Sequence, residues 1–222
     1  QYLTKHIWSS YMSKKDEIIE VIRRRKIGVL IHFTQLENLP SILEHGLKCK
    51  DDLSDDVKCN DEHRLDNHTD TISLSIQHPN DPMFYKYRVK DNKVDWCVLG
   101  ITPKVLVERE VLFCRKNAAS AEIRGKFEEQ LSTAHSFESM FEEIDGHHST
   151  RAEQHLNEND PTDVQAEVLV KGGIPPEMIT AIAFTSRQAK KNHQDIVGDR
   201  IIKIHPENVT YLSRRDIQRK FR

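Results

Sequence analysis

No stretch of this chain approaches the roughly 20 apolar residues that a membrane-spanning helix needs, so nothing marks it as an integral membrane protein. Paired cysteine motifs are missing too. Its four cysteines, Cys49, Cys59, Cys97 and Cys114, lie far apart, with no CxxC and no paired-histidine pattern. That favours reduced thiols in a cytoplasmic protein and argues against zinc or any other bound metal. A glycine-rich phosphate loop is absent, and with it the case for a Rossmann dehydrogenase. Neither charge dominates, with 33 basic residues against 35 acidic ones. A protein that simply coats nucleic acid would be more basic, although a local basic groove is compatible with this balance. No signal peptide and no internal repeat is read, and Gln1 need not be the true start. At 222 residues the chain suits a single domain with its own core.

What the chain does contain is a carboxylate set at the start of a strand. Pro161-Thr162-Asp163-Val164-Gln165-Ala166 is a polar approach, and Glu167 opens the β-branched apolar run Val168-Leu169-Val170, the pattern of a buried strand. A glutamate so placed is suited to gripping a sugar hydroxyl or a developing cation. On local pattern alone, an edge-strand glutamate in solvent is the more ordinary reading. A second segment, more than a hundred residues earlier, carries His32-Phe33-Thr34 at the end of a strand expected over 28–33. A short helix follows, with Leu39, Ile42 and Leu43 at helical spacing and Gly46 placed to stop it in a left-handed conformation. His32 by itself could equally be a hydrogen-bonded structural histidine.

Periodicity predicts a mixed α+β chain. Ser13 caps a helix over 14–26 with Ile18, Ile19 and Ile22 as its stripe, and Arg23-Arg24-Arg25-Lys26 forms a solvated last turn. Residues 48–70 form a polar, mobile loop. Strands are expected over 72–76, 96–101, 167–170, 179–184 and 201–204, a helical turn over 103–107, and a helix over 187–193. Residues 118–144 read as mainly helical. The stretch 145–166 is a long polar loop, and such loops are uncommon in compact domains unless they have a job. The basic end, with Arg214, Arg215, Arg219, Lys220 and Arg222, reads as a frayed solvated tail, with a DNA backbone contact as the alternative.

Taken together, these segments resemble the DarT family of DNA ADP-ribosyltransferase toxins. The resemblance rests on His32-Phe33-Thr34 with Asn38-Leu39 and Gly46-Leu47, on Gln165-Ala166-Glu167, and on matches between them: Arg64, Ser73-Leu74-Ser75-Ile76, Pro79-Asn80, Met83-Phe84-Tyr85 and Asn117-Ala118-Ala119. It covers roughly residues 28–185 in family order. It implies a single ADP-ribosyltransferase domain over 1–222, with an N-terminal helical extension over 1–27 and a substrate-recognition loop over 145–166. The implied fold is α+β, two small antiparallel sheets flanking an NAD cleft with surrounding helices. The implied activity is transfer of ADP-ribose from NAD, as substrate, onto a base of single-stranded DNA, with release of nicotinamide. A cognate antitoxin, an ADP-ribosyl hydrolase such as a macrodomain or NADAR-type protein, is the implied partner. RNA or protein acceptors, and a non-enzymatic binding domain, are the competing readings.

The resemblance also assigns roles. Glu167 would hydrogen-bond the ribose 2′-hydroxyl and offset the charge that develops as the nicotinamide bond breaks. His32, Phe33 and Thr34 would hold the ribose and nicotinamide amide, Ser41 would lie near the adenosine or phosphates, and Met83 and Tyr85 would pack near the ring. A Met-aromatic cluster is also ordinary core. Arg64 is assigned phosphate binding and base positioning, with proton transfer left open, because a guanidinium is a poor base. The recognition loop offers His147, His148, Arg151, Gln154, His155, Asn157 and Asn159 to phosphates or unpaired bases. Where thymine-modifying members carry an aromatic-rich strand, this chain has Ser73-Leu74-Ser75-Ile76-Gln77-His78, a departure that favours guanine as the acceptor.

Overall fold

The strand ladders are built largely on apolar runs, of which those over 96–101, 111–114 and 167–170 are buried on both faces. In the computed structural model, which describes residues 12–49 and 70–221, seven strands form one sheet: β1 (Leu30–Gln35), β2 (Thr71–Ile76), β3 (Trp96–Ile101), β4 (Val111–Cys114), β5 (Glu167–Lys171), β6 (Ile179–Phe184) and β7 (Ile201–Ile204). The spatial order is β4-β5-β2-β1-β3-β6-β7. All pairs are antiparallel except β6–β7. Every residue of β3 and β4 is buried, as are the first four of β5. Strands covered on both faces read as continuous apolar runs rather than alternation. In β5, Val168 and Val170 enter the main core with Leu30, Leu74, Ile101 and Phe137, while Leu169 enters a second cluster with Leu112, Ile123 and Leu131.

Among the described residues, nine α-helices surround this sheet: α1 (Lys14–Arg24), α2 (Leu39–His45), α3 (Asp81–Lys90), α4 (Val105–Glu108), α5 (Ala121–Arg124), α6 (Glu128–Leu131), α7 (Ala134–Ser139), α8 (Arg187–His193) and α9 (Arg215–Lys220). The cap on α1 is the expected one. Asp16 N–H donates to Ser13 Oγ at 3.2 Å and Ser13 N–H donates back to the Asp16 carboxylate at 3.1 Å. Gly46 stops α2 at φ 82°, and a Cβ there would lie 2.3 Å from the Ile174 carbonyl oxygen.

Four expectations are corrected. The two sheets are a single sheet, although its halves are joined weakly: β1 meets β2 only at Leu30↔Ile76 and Ile31↔Ser75, while β1 meets β3 along all six of its residues. The helical stretch 118–144 is three short helices, interrupted where Gly125 closes α5 and Thr133 caps α7. The last turn of α1 is not simply solvated, because Arg24 and Arg25 grip Glu138 of α7 and Lys26 pairs with Glu158 at 2.5 Å. The basic end is not frayed: it forms α9, with Arg215 only 3% exposed. Sequence reading also missed β4 and α3. The 48–70 loop, expected to be mobile, falls almost wholly outside the described residues, as does Arg64.

Candidate functional site

The short β1–β2 ladder opens a fork in the sheet. Continuing its register would set Phe33 opposite Ser73, but the strands have already parted there. His32 spans the gap instead, its Nδ1 lying 3.0 Å from the Ser73 carbonyl oxygen. The Ser73 hydroxyl in turn donates to Glu167 Oε1 at 2.9 Å, and the Ala118 N–H donates to Glu167 Oε2 at 2.7 Å. Two segments far apart in sequence thus meet through one serine. Glu167 is buried, 7% exposed, and each of its oxygens accepts a hydrogen bond that fixes its orientation. Ser73 and the Ala118 peptide are the functional groups that sequence reading did not single out. Both lie in stretches that had been matched, Ser73-Leu74-Ser75-Ile76 and Asn117-Ala118-Ala119, but nothing local to them shows that they converge on Glu167.

The other expected NAD-facing residues lie on β1, α2 and α3. Phe33 turns away into an aromatic cluster, stacked on Phe84 with centroids 4.4 Å apart and edge-on to Trp96 at 6.1 Å. Its ring is therefore committed to packing. Thr34 is buried, and its Oγ1 accepts from Asn38 Nδ2 at 3.2 Å. Ser41 is exposed on α2. On α3, Phe84 is fully buried, Met83 is half-buried and Tyr85 is 61% exposed beside Arg88. The Met-aromatic triplet thus contributes one residue to the core and one to the surface.

The loop over 145–166 contains no helix or strand, yet it is densely bonded. The Arg151 guanidinium donates to the carbonyl oxygens of Asp160 (2.7 Å) and Asn157 (2.7 Å) and to Thr162 Oγ1 (2.9 Å). Gln154 is buried and its Nε2 donates to the carbonyl oxygens of Ser149 and Thr162. Thr162 anchors to Met140 and Glu142 through its N–H and hydroxyl. The His147 and His148 rings lie 4.3 Å apart, tilted by 32°, while His148 and His155 are exposed.

Helix α9 closes this loop from outside. Asp160, fully buried, takes both arms of the Arg219 guanidinium at 2.7 Å, and also accepts from Asn157 N–H at 3.0 Å. Burial works to raise the Asp160 pKa, but the Arg219 fork and charge outweigh it and hold the carboxyl below its usual range. Arg215 donates to Gln154 Oε1 at 3.3 Å and to the Thr162 carbonyl at 3.2 Å. Burial pulls its pKa down to about 10, against the pull of Asp160 and Asp81, so it stays charged. His78 lies against the same group. Burial, then the charges of Arg219 and Arg215, push its pKa down to about 3. Among the described residues, no group of three or more His, Cys, Asp or Glu side chains comes together to hold a metal ion, and no helix is long and apolar enough to cross a membrane.

Comparison with known proteins gives one family. The model described as "ssDNA thymidine ADP-ribosyltransferase, DarT" matches residues 31–211. No curated protein matches the chain by sequence. Among solved structures, Thermosipho africanus DarTG in complex with ADP-ribose is similar at TM-score 0.57 and 17% identity, covering 83% of this chain and 51% of that one. This chain therefore spans about half the length of that protein. Thermus sp. 2.9 DarT is similar in its complex with NAD+, at TM-score 0.53 and 14% identity over 83% of this chain and 98% of that one. Its complex with ADP-ribosylated single-stranded DNA gives TM-score 0.54 and 14% identity, over 83% and 97%. At such identities the structural likeness is one of fold.

Proposed function

We propose, from the premise that this chain belongs to the DarT family of single-stranded DNA ADP-ribosyltransferases, that it transfers ADP-ribose from NAD onto a base of single-stranded DNA and that guanine is the acceptor. The observation that carries the reading is Glu167, oriented by Ser73 and Ala118 at the fork of the sheet and linked through Ser73 to His32. In the reaction, the bond between nicotinamide nitrogen and ribose C1′ breaks and its electron pair leaves with nicotinamide. The ribose becomes oxocarbenium-like, a nitrogen or other nucleophilic atom of the base bonds to C1′, and the base releases a proton. Glu167 holds the 2′-hydroxyl and stabilises that positive charge more than it stabilises bound NAD. His32, Thr34 and the Phe33 peptide hold the ribose and the nicotinamide amide. Ser41, Met83 and Tyr85 border the rest of NAD, and Arg64 serves phosphate and base.

The acceptor is single-stranded because stacked bases hide the atom to be modified. His147, His148 and His155 supply contacts to it, while Arg151 and Gln154, engaged within the loop, act by shaping it. Guanine is favoured by the Ser73-Leu74-Ser75-Ile76-Gln77-His78 strand, which lacks aromatic residues; thymine, named in the family description, is the second reading. The chain would then act as a toxin in a cytoplasm that also holds an antitoxin able to remove the modification. The test is incubation with NAD and oligonucleotides of differing base content, read by intact mass beside Glu167→Gln. Gain of one ADP-ribose that requires guanine and Glu167 is the expected result. The same gain requiring thymine replaces the acceptor, and no gain on any DNA overturns the reading.

A further inference from the structure

The loop over 145–166 makes no ladder, and beyond its own bonds to Met140 and Glu142 it is held from outside by two arginines at the far end of the chain. We infer that helix α9 is a positioning element for the DNA acceptor: Arg219, through Asp160, and Arg215, through Gln154 and Thr162, set the recognition loop against the catalytic strand. This rests on the reading of the chain as a DNA-base ADP-ribosyltransferase and adds residues that the reading does not use. Both arginines lie beyond residue 211, where the family match ends. The Arg219 and Asp160 side chains are 5% and 0% exposed, so this is no surface pairing of little consequence.

The fork geometry supplies direction. A bidentate guanidinium fixes the plane of the carboxylate as well as its distance. Asn157 N–H and Nδ2 then hang the preceding turn on the same Asp160 oxygen, at 3.0 and 3.1 Å. Arg215 reaches the loop at two further points, and its own N–H donates to Asp81 Oδ2 of α3 at 2.8 Å, which ties the helix back to the body of the domain. From Asp160 and Thr162 the chain runs directly into Glu167. A groove of about 980 Å³ lies between the loop and the C-terminal segment, with Asn157, Asn159, Tyr211, Gln218 and Arg219 among its walls. The clamp thus fixes one side of an amide-rich groove relative to the catalytic strand.

The test compares wild type, Arg219→Ala, Arg219→Lys and the milder Asp160→Asn, all in the full chain. Transfer is followed by intact mass while oligonucleotide and NAD are varied separately, and amide hydrogen exchange is followed over residues 149–165. Because misplacement of a binding element by about 1 Å can cost up to about 10²-fold, Arg219→Ala should raise KM for the oligonucleotide by at least about tenfold while KM for NAD stays within about twofold. Arg219→Lys, which keeps the charge but not the fork, should recover part of the loss. Exchange should quicken over 149–165 and not in β1 or β5. Uniform loss in both KM values and kcat, or unchanged exchange in the loop, overturns the inference. If Arg219→Ala does not fold, Asp160→Asn carries the same two readouts. A wild type that modifies no DNA sinks the parent reading instead, and the exchange arm still decides whether α9 holds the loop.

Discussion

Two buried carboxylates stand seven residues apart, and they are held in opposite ways. Asp160 sits in a guanidinium fork, with Arg219 on both oxygens and Asn157 behind. Glu167 receives a hydroxyl on one oxygen and a peptide N–H on the other. A guanidinium matches the plane of a carboxylate and cancels its charge in place, which suits a permanent joint. A hydroxyl and a peptide donor bring no formal charge of their own and aim the carboxylate, which is the arrangement the proposed role of Glu167 calls for. The difference teaches that burial alone does not set what a carboxylate can do; the groups that hold it matter as much.

The comparison breaks most visibly on the structural side. Asp160→Ala would leave Arg219 buried and unpaired, and breaking a buried pair from one side costs about 3–5 kcal/mol. Urea denaturation should show that loss. Glu167→Gln keeps a similar shape and should leave the urea midpoint near wild type, while transfer of ADP-ribose falls by about 10²–10³. The opposite pattern, stability lost at Glu167 and chemistry alone lost at Asp160, would sink the distinction.

A finer cut concerns Ser73. Its hydroxyl is one hydrogen bond to a charged acceptor, worth about 1.5–3 kcal/mol. Ser73→Ala should therefore lower kcat by about 10- to 10²-fold, at or below the low end of the change at Glu167 itself. Single-turnover mass measurements at saturating NAD and DNA would read it directly. A variant as fast as wild type would mean that Ala118 suffices to aim the carboxylate.

Part of this arrangement is legible in the residues. The Val168-Leu169-Val170 run, the Ser13 cap and the Gly46 stop are local patterns, and local physics decides them. Glu167 stands out because it opens a strand, whereas His32, expected at a strand end, lies within β1 (Leu30–Gln35). Their common partner Ser73 does not stand out, since only the premature end of the β1–β2 ladder brings it to both. The same reasoning explains the tail. Arg215 and Arg219 in a charged stretch look solvated until Gln154, Thr162 and Asp160 are found folded against them. A seven-stranded sheet in place of two separate ones follows from two paired residues at one end, a number too small for any sequence pattern to announce.

The smallest expected effect belongs to the clamp and reads out as pH dependence. His78 is buried with its Nε2 3.1 Å from the Ser213 carbonyl, which it reaches as a donor. Arg219 and Arg215 face it and disfavour its proton, Asp160 opposes them more weakly, and burial exceeds them all, leaving a pKa of about 3. Asp81 Oδ2 lies 3.7 Å from the ring. Unfolded, the ring takes up a proton near its ordinary 6.5; folded, it does not until about 3. Acid therefore favours the unfolded chain, so this contribution is intact above pH 6.5 and is lost as pH falls toward 3. Between pH 6.5 and 5 the loss is roughly 1.5 kcal/mol. Asp160, with its pKa held below 3.8, keeps its charge over that window and adds a loss of its own only in stronger acid. Urea midpoints at pH 7, 6 and 5 should thus slope downward in wild type and flatten in His78→Gln. Equal slopes would acquit His78 and place the acid sensitivity outside the clamp, whereas a flattened one would show that the buried site beside Arg215 and Arg219 resists protonation of His78.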